Sequence, residues 1–145
     1  MNEVESLYQE IIVDHVKHPR RQGLHEGATV ESHQLNPTCG DEVTLQLTLD
    51  GGRIQDAAWT GQGCMVSQSS ASILAEQLPG LTFEEAGERI ASFRTSMRSR
   101  GAVPVDEDLL GDAVALEGAA KYVARVKCAM LAWVAAEDAL AKRPA

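Results

Sequence analysis

The sequence predicts an α+β fold: a small antiparallel sheet of about three strands, with helices packed on one of its faces. Three observations carry this. Val43, Leu45, Leu47 and Leu49 alternate strictly with Thr44, Gln46 and Thr48, the signature of a half-buried strand. Behind it, Asp50-Gly51-Gly52 forms a hairpin turn that returns the chain as a partner strand from Arg53 to Thr60. After Gly63 the apolar spacing switches to the helical period.

Taken in order, residues 3–17 place Val4, Leu7, Tyr8, Ile11 and Ile12 at helical spacing with acids opposite, and Pro19 with Arg20-Arg21-Gln22-Gly23 ends that helix. Thr29 to Gln34 reads as a further short strand. Residues 64–78 form a helix stopped by Pro79-Gly80. Thr82 and Glu85 make a capping box for a helix over about 83–97. Ser99 to Pro104 connects to a short helix from Asp106 to Leu116. The segment 119–142 is rich in Ala and Leu and carries Val123, Val126, Met130, Leu131, Val134 and Leu140. Nothing repeats and nothing reads as an internal linker, so residues 1–145 are expected to form one domain.

The chain carries 21 acidic and 13 basic residues, a net charge of −8, which argues against general nucleic-acid binding. Glu3, Glu5, Glu10 and Asp14 are foreign to a signal peptide, and no apolar run approaches the roughly 20 residues of a membrane span. The expectation is a cytoplasmic protein away from the membrane. Three cysteines are too few, and odd in number, for a disulfide framework. In a reducing compartment they mark a metal site, reactive thiols or small buried hydrophobes.

Cys39-Gly40-Asp41 puts two ligand types two residues apart, on one side of an extended segment. Cys64 follows Gly61-Gln62-Gly63 and opens a helix; Cys128 lies in the first turns of the last one. Thiols at helix N-termini are shifted toward thiolate, the form that attacks and ligates. A tetrahedral site of three sulfurs and one oxygen suits zinc. Spacing alone leaves this open against separately buried cysteines, because no Cys-x-x-Cys pair is present.

Three motifs in order go further. They are Asn36-Pro37-Thr38-Cys39-Gly40-Asp41, then Gly61-Gln62-Gly63-Cys64 with its serine-rich run to Ser72, then Arg125-Val126-Lys127-Cys128. With the Leu7-Tyr8-Gln9-Glu10-Ile11-Ile12 opening and His18-Pro19-Arg20, they resemble the IscU-type iron–sulfur scaffold family over nearly the whole chain. Two departures resemble its SufU branch. Lys127 stands where scaffolds carry a histidine, and the segment between Cys64 and Cys128 is longer, with the extra residues around Arg94 to Gly111. A protonated lysine cannot ligate.

The resemblance implies one zinc ion held by Cys39, Asp41, Cys64 and Cys128, with Cys39 as sulfur acceptor. The implied partners are a pyridoxal-phosphate cysteine desulfurase of the SufS type and downstream SUF assembly proteins. Arg125 and Lys127, otherwise a solvated helix flank, resemble basic residues that the branch turns toward the desulfurase. Two rivals stand beside this reading: a scaffold that takes iron or a [2Fe–2S] cluster on the same ligands, and a purely structural zinc module. Trp59 and Trp133 are expected in the core, Ser67 to Ser72 on a close-packing helix face without a His/Asp pair to activate a serine, and His15, His18, His25 and His33 at the surface.

Overall fold

The computed structural model describes residues 3–144. Helix α1 (Glu3–Lys17) leads into strands β1 (Val30–Asn36), β2 (Asp41–Asp50) and β3 (Arg53–Gln62). Helices α2 (Met65–Gln77), α3 (Phe83–Arg98), α4 (Glu107–Leu110) and α5 (Val123–Ala141) complete the chain, with a 3₁₀ segment, Gly111–Lys121, ahead of the last. The strands form one antiparallel sheet in the order β1-β2-β3.

The pleat of β2 sets the layers. Asp41, Val43, Leu45 and Leu47 are buried on one face, while their neighbours are half-exposed on the other. The β2–β3 register sets Leu45 against Trp59 and Val43 against Gly61, so Trp59 joins the same face. The helices cover it. Phe93 of α3 stacks on Trp133 of α5 with ring centroids 4.1 Å apart, and Arg94 grips Glu137 through two hydrogen bonds of 2.7 and 2.8 Å. Both tryptophans are wholly buried, as their sequence context predicts. The outer edge of β3 is shielded by residues 20–23, where Trp59 N–H donates to the Arg21 carbonyl and Gly23 N–H to that of Trp59.

The serine run of α2 packs as expected and adds hydrogen bonds. Ser69, Ser70 and Ser72 are fully buried. Ser70 Oγ donates to the Ala129 carbonyl at 2.6 Å and accepts the Trp133 indole N–H at 2.8 Å, fastening α2 to α5. The Thr82–Glu85 capping box forms.

Three expectations need correction. The helix predicted from Asp106 to Leu116 stops at Leu110, because Gly111 turns to φ +51° and Gln77 Nε2 takes the Leu110 carbonyl at 2.6 Å. A series of 3₁₀ turns then carries the chain to Lys121, past the predicted start of the last helix. On α1, Val4 and Leu7 remain exposed, and Tyr8, Ile12 and His15 face inward. His15 is therefore no surface histidine, whereas His18, His25 and His33 are exposed. Its Nδ1 lies 2.7 Å from Ser72 Oγ and its Nε2 2.9 Å from Asp112 Oδ2, tying α1 to α2 and to the 3₁₀ segment. His15→Leu is expected to lower stability by about 1–3 kcal/mol in urea denaturation, because a buried hydrogen-bonded link between three elements is lost. No helix among the described residues is long and apolar enough to cross a membrane.

Candidate metal centre

Asp41 is the first residue of β2 and pairs with Asn36, the last of β1. Its carboxylate obeys the pleat that turns Val43, Leu45 and Leu47 inward, so a charged group is driven onto the core face and fully buried. The four-residue turn before it, residues 37–40, carries Cys39 outward. Gly40 adopts φ +73° and donates its N–H to the Asn36 carbonyl at 2.8 Å, closing the turn. Cys39 is exposed, yet its sulfur remains beside Asp41.

Cys64 is the N-cap of α2, with extended backbone, and its thiol is exposed. Cys128 lies in the second turn of α5, buried against the sheet. The fold thus gathers three distant stretches of chain. The sulfurs of Cys39 and Cys128 and a carboxylate oxygen of Asp41 all lie within 4.8 Å of one another. Cys64 stands at the rim of that cluster, its Sγ 4.0 Å from Asp41 Oδ2. Every residue of the sequence-derived ligand set is at one place, three of them tightly grouped and the fourth adjoining.

Asp41 pairs with no Lys, Arg or His among the described residues. A buried carboxylate without a cation is costly, and a bound metal ion supplies the missing charge. The donor set, three thiols and one carboxylate, suits a borderline-soft four-coordinate ion. Burial, hydrogen bonds to Asp41 and Cys64, and the negative charge of those two groups push the Cys128 thiol well above the ordinary range. This corrects the expectation of a thiolate-leaning Cys128: the helix N-terminus is too weak to offset burial beside a carboxylate. A metal ion bound there would take the place of the thiol proton.

Sequence reasoning placed Ser67 on a packing face and missed its second contact. Ser67 Oγ lies 3.3 Å from Asp41 Oδ1, the oxygen that also accepts the Cys64 N–H at 2.9 Å. Gly63, at φ +151°, leaves the space: a Cβ there would stand 2.1 Å from Asp41 Oδ1. The legible signal was a glycine and a serine flanking a helix-opening cysteine.

Arg125 and Lys127 lie on the first turns of α5, with the Arg125 guanidinium 4.8 Å above the Tyr122 ring. Lys127 borders a groove of about 570 Å³ next to the Cys39 turn, with Leu35, Pro37 and Val126 in its wall and Arg94 and Arg98 on its margin.

A second group, His15, Glu76 and Asp112, also has ligand-type atoms within 4.8 Å. Its members are already engaged: His15 with Ser72 and Asp112, and Glu76 with Arg20 at 3.4 Å. The Ser72–His15–Asp112 chain does supply the His/Asp pair that the sequence did not suggest. Ser72 is nevertheless wholly buried, and its oxygen already accepts the Arg20 N–H at 2.8 Å, so it meets no substrate.

The NifU-like N-terminal domain family matches residues 7–129. The zinc-dependent sulfurtransferase SufU of Bacillus subtilis is 38% identical over 141 residues, spanning 96% of this chain and 92% of that protein. The iron–sulfur cluster assembly scaffold protein IscU of Streptococcus pyogenes is 36% identical over 141 residues, 97% of this chain and 86% of the relative. The crystal structure of a SufU from Fervidobacterium islandicum, described as an iron–sulfur cluster assembly scaffold protein for the SUF system, superposes with a TM-score of 0.84 at 35% identity, covering 94% of this chain and 98% of that one. By its fold, its matched span and these relatives, the chain belongs to the NifU-like N-terminal domain family, as a SufU-like member.

Proposed function

We propose that this chain is a single-domain, zinc-dependent sulfur acceptor working in the cytoplasm. It takes the terminal sulfur of a persulfide on a pyridoxal-phosphate cysteine desulfurase and delivers it toward iron–sulfur cluster assembly. The observation that carries this reading is the unequal exposure within one donor cluster. Cys39 stands exposed on a turn and Cys64 exposed at the mouth of α2, while Asp41 and Cys128 are buried. An inert structural site has no need of an accessible thiol, whereas an acceptor requires one.

Cys39, Asp41, Cys64 and Cys128 would hold the zinc, which when bound keeps the thiols deprotonated and supplies the cation that Asp41 lacks. The transfer itself is thiol–disulfide chemistry. The Cys39 thiolate attacks the outer sulfur of the partner's Cys–S–SH, and a new S–S bond forms on Cys39. The partner's S–S bond breaks, and its cysteine leaves as a thiolate. The hydrogen stays on the transferred sulfur, so atoms and charge balance and nothing is oxidised or reduced overall. Buried Cys128 is out of reach of such an attack. Arg125 and Lys127 flank the site on α5 and would register the desulfurase.

The test mixes the purified chain with a SufS-type desulfurase and cysteine. Mass spectrometry is expected to find added sulfur on Cys39, with sulfide release rising when a reductant is present. A visible-absorbing cluster formed on supplying iron, without persulfide on any cysteine, would transfer the chain to the scaffold reading. Neither sulfur nor stimulation would leave a structural zinc module.

In the same assay, Arg125→Ala and Lys127→Ala are each expected to weaken stimulation severalfold with unchanged zinc content. Stimulation by the wild type should also fall as salt is raised. Stimulation at wild-type level by both variants would remove these residues from the interface.

A further inference from the structure

We infer that Ser67 is a positioning residue that fixes which oxygen of Asp41 faces the metal. The inference rests on the metal reading above and goes beyond it. The two oxygens of this fully buried carboxylate have different neighbours. Oδ1 is held by the Cys64 N–H at 2.9 Å and by the Ser67 hydroxyl at 3.3 Å. Oδ2 takes neither of these bonds and lies 4.0 Å from Cys64 Sγ. With Oδ1 occupied, Asp41 offers the ion a single oxygen and cannot chelate it through both.

Ser67 is suited to this role because it sits one turn into α2, where its oxygen returns over the N-terminus of its own helix. It lies 3.1 Å from the Cys64 carbonyl and 3.9 Å from Cys64 Sγ, so one side chain touches two of the four candidate ligands. The Cys64 carbonyl already accepts the Gln68 N–H at 3.1 Å, whereas the carboxylate is the stronger acceptor for the single hydroxyl proton. Gly63 completes the arrangement by leaving the space beside both oxygens open. A Cβ there would lie 2.1 Å from Asp41 Oδ1 and 2.7 Å from Ser67 Oγ, so a side chain would occupy the space in which the two oxygens meet.

Outer partners of this kind typically change metal affinity by about 10–100-fold. Ser67→Ala is expected to weaken zinc binding about tenfold in competition with a chromophoric chelator. It should also alter the absorption bands of the cobalt-substituted protein, because the carboxylate can then turn both oxygens to the ion. Ser67→Thr, which keeps the hydroxyl, is expected to retain wild-type affinity and bands. Gly63→Ala should reproduce the loss by displacing the same carboxylate oxygen.

The deciding measurement is the same substitution in an Asp41→Ala background. A residue that acts through Asp41 has nothing left to position there, so Ser67→Ala should cost no further affinity. Equal losses in both backgrounds, or wild-type affinity and cobalt bands in Ser67→Ala, would overturn the assignment and leave zinc binding standing. Failure of the wild-type chain to take up zinc would overturn both.

Discussion

Cys39→Ser is expected to abolish persulfide formation and desulfurase stimulation while leaving a folded protein that still takes up zinc through its other ligands. Cys39 occupies an exposed turn whose closure rests on backbone and on Gly40, so removing its sulfur leaves no cavity and frees no buried polar group. Circular dichroism and the unfolding midpoint should therefore stay near wild type. A hydroxyl oxygen neither attacks a persulfide at neutral pH nor carries sulfur, so sulfur uptake should fall to background. Cys64→Ala and Cys128→Ala should instead lose most of the zinc and, with it, the site's charge balance. Persulfide recovered only on Cys128 or Cys64 would overturn the role given to Cys39.

Removing the metal has the second large effect. An ion that binds only the folded chain stabilises it by about 4 kcal/mol when present at a thousandfold its dissociation constant. For a domain of this size that corresponds to on the order of 10 °C in Tm. The effect should grow with pH. In the stripped protein the Cys128 thiol is raised above its ordinary value of 9.0 by burial first, then by hydrogen bonds to Asp41 and Cys64. The stripped fold therefore keeps that proton at every pH below about 9. The loaded protein has already released its thiol protons, so alkalinity favours it over the stripped form. The gap in melting temperature between loaded and stripped protein should widen from pH 6 to pH 9 in scanning calorimetry. A gap that narrows would mean that the thiols do not ligate as thiolates.

Periodicity and turn chemistry made most of the fold legible. Strand alternation from Val43 to Leu49 and the Asp50-Gly51-Gly52 turn are local signals, and they located β2, β3 and the hairpin. The Thr82–Glu85 box is equally local and located the start of α3. What escaped was set by tertiary partners. Gln77 capping the Leu110 carbonyl from 33 residues away ended a helix that composition would have continued. His15 became buried because Ser72 and Asp112 receive it, and nothing near residue 15 announces either partner. The candidate ligands were legible because motif and resemblance both marked them. Asp41's outer contacts were not, since a serine in a small-residue run reads as packing until the opposing carboxylate is in place. The Cys128 thiol escaped likewise: its place in α5 was readable, its burial beside Asp41 was not.

The proposed ligands come from the β1–β2 turn, the mouth of α2 and the second turn of α5, so an ion held by them would join residues 39, 41, 64 and 128 into closed loops. Two of the spans are short in sequence and one covers most of the helical half. A bound ion is thereby a reversible cross-link, which restrains the partly opened chain as a disulfide would, yet comes undone without an oxidant or reductant. It also orders events during refolding. The hairpin turn and α2 can find each other early through nearby contacts, but the set is complete only when α5 docks on the sheet, the most distant association of the four. Tight uptake of the ion in a refolding experiment therefore times the docking of α5, and metal supplied early should shorten the search for that last step rather than the first.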